Sequence, residues 1–312
     1  MWDNFPVVKE ELTAFEDYLK SKLSSRNKFL ENASNSVVLS GGKRLRPAFT
    51  IIAALHGDYD RNRVFPAAAS VEILHVATLI HDDIIDNAKT RRGQITLSEK
   101  HNTNLAVYTG DYLLSKSLRL ILETGLKPEK FNILSRAVSL LCESEIDQYM
   151  GKYSITSVNN YLKRIIGKTG ILFSASLILG AKTANLPDDV VRKFGRFGSS
   201  FGAAFQIRDD LLDILSNPKT EGKPVLNDLK EGIATLPIIM AVGKNSMLKE
   251  QVNEFFDGHG DLNNLIRAIR SSGGIQDAER LKNRYIQKCN GYIQKIPQTN
   301  YTDALNEIVD WL

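Results

Sequence analysis

Apolar residues along this chain fall into two kinds of stretch. Some recur three and four residues apart, with charges between them; others run on without interruption. Leu12, Phe15, Leu19 and Leu23 keep the first spacing, so Val7 to Leu23 is expected to be an amphipathic helix. A second helix is expected over Lys28 to Leu39. Gly41-Gly42 then breaks the chain. Pro47, at home in a first helical turn, is expected to open a helix over Ala48 to His56. Ala67 to Ile80 is of the continuous kind, without Pro or Gly, and predicts a buried helix. Gln94 to Leu122 and Phe131 to Met150 read as further helical regions. Gly110 in the first would let helices approach closely. Gly170 to Ala181 reads as a core helix, and Ser216 to Pro224, with two prolines and a glycine, as a loop. Helices are expected from Asn245 on, broken at Gly258-His259-Gly260 and Gly273-Gly274.

Composition narrows this picture. The 312 residues are 43% hydrophobic, ample for a large core. Without a Pro/Gly/Ser-rich linker, residues 1–312 are expected to form one domain. The formal charge of +4 is small and no basic block stands out, which argues against a nucleic-acid partner. Cys142 and Cys289 are too few for a disulfide framework or a zinc site. A reducing, cytoplasmic setting fits. No signal peptide is visible, and the most apolar stretch, Gly170 to Ala181, is too short to span a bilayer.

The chemistry concentrates in Leu79 to Gly93. Asp82, Asp83 and Asp86 stand at i, i+1 and i+4, so Asp82 and Asp86 share one helix face a turn apart. Such like charges need a cation between them. Hard oxygen ligands suit Mg²⁺, which shares its sphere with substrate phosphate. Arg91 and Arg92 follow, a residue type that grips phosphate oxygens in a fork. The spacing recurs in Asp209, Asp210 and Asp213. Either copy alone would read as a solvated acidic face, but both sit in apolar surroundings. Lys43, Arg44 and Arg46 lie beside an expected helix N-terminus, which favours anions over a merely solvated basic loop. Lys168 interrupts an apolar stretch, costly unless it meets an anion or snorkels to the surface. His75, two turns before Asp82, is by itself an ordinary core histidine. Glu143, Glu145, Asp147 and Gln148 read as surface or supporting charges. Lys223 sits in the expected loop, next to the second aspartate motif, where a mobile segment would close over a bound ligand.

Together, the two D-D-x-x-D motifs, the R-R-G after the first and Gly41-Gly42-Lys43-Arg44-Leu45-Arg46-Pro47 resemble the all-trans polyprenyl diphosphate synthase family. The resemblance runs from about Ser40 to Pro237. It implies an all-α fold: one domain, an antiparallel helical bundle around a deep central cavity, with the aspartate helices facing each other at its mouth. It implies Mg²⁺ ions on Asp82, Asp86 and Asp209, bridging the diphosphate of an allylic substrate. It places Lys43, Arg46, His75 and Arg92 on the diphosphate of isopentenyl diphosphate. Arg91, Lys168 and Lys223 would hold the allylic diphosphate, and Thr169 and Gln206 would turn oxygens toward the developing cation. A homodimer is implied, with a small partner subunit as the alternative. A greasy product would bring peripheral membrane contact. Two departures stand out: Leu226 where many relatives have Gly, and Ile233 where many have a second loop lysine.

Ala77 and Thr78, five and four residues before Asp82, are small where short-chain members carry aromatics. The growing chain can therefore pass, and a product longer than C15 is expected, stopped deeper near Leu74, Leu118 or Leu122. A class I terpene cyclase is a rival reading, but its second metal site mixes Asn, Ser and Glu, and it has no use for Lys43 and Arg46. A non-catalytic partner chain would have lost an acidic motif. A plain helical scaffold leaves six aspartates at matched spacing to chance.

Overall fold

Side-chain caps set where many of the helices begin. Asn27 accepts from the backbone N–H of Phe29 and Leu30, Asp60 from Asn62, Asn102 from Leu105, Ser157 from Asn160 and Asp261 from Asn264. Each satisfies N–H groups that a first helical turn leaves without partners. The computed structural model describes residues 2–91, 93–127, 132–215 and 226–312. Among these residues it is helical apart from one hairpin of two-residue strands and an isolated bridge between Ser154 and Ile233.

The first elements are α1 (Pro6–Lys22), α2 (Lys28–Val38), α3 (Leu45–Ala54) and α4 (Arg61–Ile85). Strands β1 (Thr90–Arg91) and β2 (Gln94–Ile95) pair antiparallel, Thr90 opposite Ile95 and Arg91 opposite Gln94. Then come α5 (Leu97–Lys100), α6 (Thr103–Leu122), α7 (Asn132–Met150) and α8 (Val158–Ile165). A π-helical turn over Ile166–Gly170 leads into α9 (Ile171–Thr183), followed by α10 (Asp188–Leu215). The rest is α11 (Asn227–Lys230), α12 (Leu236–Lys244), α13 (Ser246–Phe256), α14 (Leu262–Ser271), α15 (Gly274–Ile293) and α16 (Thr302–Asp310).

Two sequence expectations need correction. Helix α3 begins at Leu45, before Pro47, because Arg44 takes a left-handed conformation (φ 48°) and turns the chain into the helix there. The Gln94–Leu122 region is not one helix. Gly93 (φ 77°) reverses the chain into β2, and Asn102 caps a fresh start for α6.

The chain divides into two compact units. The first comprises Met1–Arg136, Ala175–Gly195 and Lys295–Leu305. Here α4 packs against α3 and α6. The expected buried helix over Ala67 to Ile80 lies within α4: Ala67 to Leu74 and Val76, Ala77 and Ile80 are buried, while His75, Thr78 and Leu79 are half-buried. Gly110 on α6 faces the His81 ring on α4, and any Cβ there would overlap the imidazole. That close approach is what the glycine was expected to permit.

The second unit comprises Ala137–Ser174, Arg196–Gln294 and Asn306–Leu312. Its core joins Tyr161 and Ile165 of α8, Ile207 and Leu211 of α10, and Leu236 and Ile238 of α12. Among the described residues two helical stretches, Arg61–Ile85 and Val158–Thr183, have the length and apolarity to cross a membrane, the second because the Gly170 to Ala181 run, too short by itself, continues a longer helix. Their most apolar windows are 78% and 72% buried within the protein, which marks them as core helices.

Candidate active site

The first aspartate motif occupies the end of α4. The Asp86 N–H donates to the Asp82 carbonyl at 2.8 Å, so the two residues stand one turn apart as the spacing predicted. Asp86 is exposed and Asp82 half-buried. The middle residue behaves differently. Asp83 is buried and accepts a hydrogen bond from Arg91 Nε at 2.5 Å. Burial pushes the Asp83 carboxyl above the usual carboxylate range, against the pull of the Arg91 guanidinium. Arg91 is thus anchored from behind by the motif itself.

The second motif, on α10, divides in the same way. Asp209 and Asp213 lie one turn apart. Asp210 between them is 3% exposed. Its carboxylate accepts from the Tyr161 hydroxyl at 2.6 Å, Gln206 Nε2 at 3.0 Å and the Leu236 N–H at 3.4 Å. Asp213 Oδ1 accepts from the Asn227 N–H at 3.2 Å, while Oδ2 is buried with no hydrogen-bond partner among the described residues. Asp228 lies in the same acidic neighbourhood. Burial, then the Asp210, Asp213 and Glu231 carboxylates, push it up to about 7, with Lys168 opposing.

Lys168 and Thr169 sit in the π-helical turn. Such a turn inserts one extra residue, so it re-aims side chains within a continuous helix. Lys168 meets the anion its setting required: Glu145 of α7, at 2.8 Å. Thr169 donates its hydroxyl proton to Gln206 Oε1 at 2.9 Å. Three glycines allow this packing. A Cβ on Gly202 of α10 would overlap the Gly170 Cα, and one on Gly167 would overlap Ser144. Arg208 on α10 turns away from the carboxylates and lies 4.1 Å from the Trp311 ring centroid.

In the first unit, a cavity is lined by Ser40, Arg44, Glu72, His75, Asp83 and Arg91 among others. It brings together two predicted residues, His75 and Arg91. Lys43 is exposed and Arg46 half-buried; neither lines that cavity. Arg44 is a tie, not a spare cation. Its guanidinium donates to Glu16 at 2.6 Å, to Glu72 at 2.8 Å and to the Val38 carbonyl at 2.8 Å. It thereby pins the loop that carries Lys43 and leads into Arg46. Ala77 is buried, and the Thr78 hydroxyl donates to the His75 carbonyl at 2.8 Å. Arg92 and Lys223 lie outside the described residues.

The sequence pointed to Glu145 only as one of four surface or supporting charges and to Arg44 as an anion-facing cation, not as partners of Lys168 and of Glu16 and Glu72; it did not point to Tyr161. Glu145 had one available signal, since a lysine in an apolar stretch asks for a carboxylate. Tyr161 had none, because it keeps the spacing of a core aromatic.

The donor set fits Mg²⁺. Among the described residues no three His, Cys, Asp or Glu side chains form a cage of their own. Each motif instead offers carboxylates one turn apart, which suits a small hard cation completing its sphere with water and substrate phosphate. The orphaned, buried Asp213 Oδ2 is what a carboxylate beside a cation site would show.

Residues 27–269 match the family model described as polyprenyl synthetase. The chain is 33% identical over 311 residues to heptaprenyl diphosphate synthase component 2 of Geobacillus stearothermophilus, covering 97% of this chain and 95% of that protein. It is 30% identical to nonaprenyl diphosphate synthase of Mycobacterium tuberculosis, covering 98% and 92%. The crystal structure of heptaprenyl diphosphate synthase from Staphylococcus aureus superposes with a TM-score of 0.89 at 31% identity, covering 97% of this chain and 96% of that one.

Proposed function

We propose, since the chain belongs to the polyprenyl synthetase family, that its aspartate motifs carry an allylic diphosphate through prenyl-chain elongation. The chain is a prenyltransferase. It condenses isopentenyl diphosphate with an allylic prenyl diphosphate to give an all-trans polyprenyl diphosphate longer than C15. One observation carries the assignment of roles. In both motifs the middle aspartate is committed to protein partners, Asp83 to Arg91 and Asp210 to Tyr161 and Gln206. The outer residues of each motif instead share one helix face a turn apart, which is the arrangement a hard cation beside a diphosphate needs.

Asp82, Asp86 and Asp209 would hold several Mg²⁺ ions. When bound, Mg²⁺ neutralises the diphosphate and makes it a better leaving group. Lys168, Arg91 and Lys223 add fixed positive charge to the allylic diphosphate. Lys43, Arg46, His75 and Arg92 hold isopentenyl diphosphate, whose double bond attacks the allylic cation left once the C–O bond has broken. Thr169 and Gln206 face the cation with oxygens. No side-chain nucleophile takes part, and the isopentenyl carbon beside the new cationic centre loses a proton to the departing diphosphate, leaving the new double bond. Ala77 and Thr78 leave room for the growing chain.

The reading places one catalytic domain over residues 1–312 in a cytoplasmic homodimer, touching membrane only through its product. Leu118 and Leu122, expected deep in the chain path, are exposed on α6 while Leu74 is buried, and with exposed Tyr108 they support self-association instead. A second reading, a catalytic subunit that works with a small partner chain, is supported by two relatives named as component 2.

The test is a product assay with Mg²⁺, labelled isopentenyl diphosphate and an allylic primer of three isoprene units, with Asp82→Ala as control. Elongated products that vanish in the control are expected. A folded, dimeric wild type that makes none overturns the single-chain reading, and restoration by a small partner establishes the second.

A further inference from the structure

Thr169, Gln206, Asp210 and Tyr161 form one unbroken hydrogen-bond relay. It begins at a tyrosine 1% exposed and a carboxylate 3% exposed. Three donors converge on the Asp210 carboxylate, the Tyr161 hydroxyl and the Leu236 N–H on Oδ2 and the Gln206 amide N–H on Oδ1, although burial raises this carboxyl above its usual range. That arrangement fixes the Gln206 amide. Its nitrogen points at Asp210, so its oxygen must point at Thr169. Thr169 then donates its only proton to Gln206 Oε1, and its own oxygen presents lone pairs alone.

We infer that Tyr161 and Asp210 are positioning residues that lock Thr169 and Gln206 with their oxygens, not their protons, toward the reacting carbon. This rests on the prenyl-transfer reading above and names how that site is held. A dipole aimed at developing charge helps only if it need not turn during the reaction. A flipped Gln206 amide would present N–H to a cation and repel it. A threonine free to rotate would spend part of its time doing the same. Asp210 blocks both: it holds the Gln206 amide nitrogen, and the amide oxygen so fixed holds the Thr169 hydroxyl proton. Tyr161 in turn holds Asp210 from the far side, through a group at the centre of the second unit's core. The relay also explains why the middle position of this motif is an aspartate. A neutral amide there would offer one acceptor oxygen where two are used.

The test compares steady-state kinetics of wild type, Tyr161→Phe, Asp210→Asn and the double variant, each with its thermal midpoint. Tyr161→Phe keeps the buried ring and removes only the donated proton. Its kcat is expected to fall about 10- to 100-fold, with KM for isopentenyl diphosphate and the Mg²⁺ requirement unchanged. Asp210→Asn is expected to lose at least as much. Since Tyr161 acts through Asp210, the double variant should be no slower than Asp210→Asn alone. A wild-type kcat in Tyr161→Phe overturns the inference. So do losses that multiply in the double variant, or a fall in kcat that only tracks a fall in folded protein. A wild type that elongates nothing, with or without a small partner, overturns the prenyl-transfer reading and this role with it. An active wild type with an indifferent Tyr161→Phe overturns this role only.

Discussion

Asp83 holds Arg91 by a hydrogen bond of 2.5 Å from Nε to Oδ1, joining the last turn of α4 to the first strand of the hairpin. The pair is unequal in exposure: the Asp83 side chain is 11% exposed and that of Arg91 38%. The buried carboxylate thus anchors an arginine that lines the same cavity as His75.

Asp83→Asn keeps the shape and removes the charge. The charge-assisted bond, worth about 1.5–3 kcal/mol when both partners are well placed, is lost, and partial exposure of Arg91 moves the expectation to the low end. KM for the allylic diphosphate should rise about tenfold, with a smaller change in kcat. Unchanged KM in steady-state kinetics would show that Arg91 does not depend on Asp83.

Ala77 is buried on α4, five residues before Asp82. Ala77→Phe should shorten the products, read by chromatography of the dephosphorylated prenols. An unaltered product spectrum from a folded variant would remove Ala77 from the path of the growing chain.

Leu226 takes φ 54° and ψ 46°, a left-handed conformation that favours glycine, yet it is fully buried. Its N–H donates to the Asp213 carbonyl at 3.2 Å, tying it to the second motif. Leu226→Gly relieves about 1–2 kcal/mol of backbone strain. It also removes a packed leucine side chain, at about 2–5 kcal/mol. Burial should win, and the variant should be less stable by about 1–3 kcal/mol in urea unfolding. A more stable Leu226→Gly would mean that strain outweighs packing here.

Asp228 is held up to about 7 in the folded protein, above its ordinary 3.8. The native state therefore keeps a proton that the unfolded chain releases near 3.8. A group raised in this way stabilises at low pH and loses that contribution as pH rises through its folded value. Without metal, Tm should decline as pH climbs from about 4 to about 7. Asp228→Asn should flatten that slope and raise Tm at pH 8, measured by calorimetry in a chelator. Equal slopes for the two proteins would put the titration elsewhere.

What the sequence determined by itself was periodic and local. The apolar run of α4, the one-turn relation of Asp82 to Asp86 and its repeat at Asp209 and Asp213 follow from 3.6 residues per turn. Gly41-Gly42 announced a break because glycine backbone is free, and both take positive φ. Tertiary structure decided how equivalent-looking neighbours divide the work. Asp82 and Asp83 are the same residue one position apart, but a helix turns about a quarter of a revolution between them. One of them therefore finds Arg91, and which one depends on where the hairpin folds back. Lys168 asked for an anion in the sequence, but only packing of α7 against the π-helical turn names Glu145. Tyr161 carried no signal at all. Its hydroxyl matters because chain remote in sequence closes over Asp210, and helical periodicity contains no record of that closure.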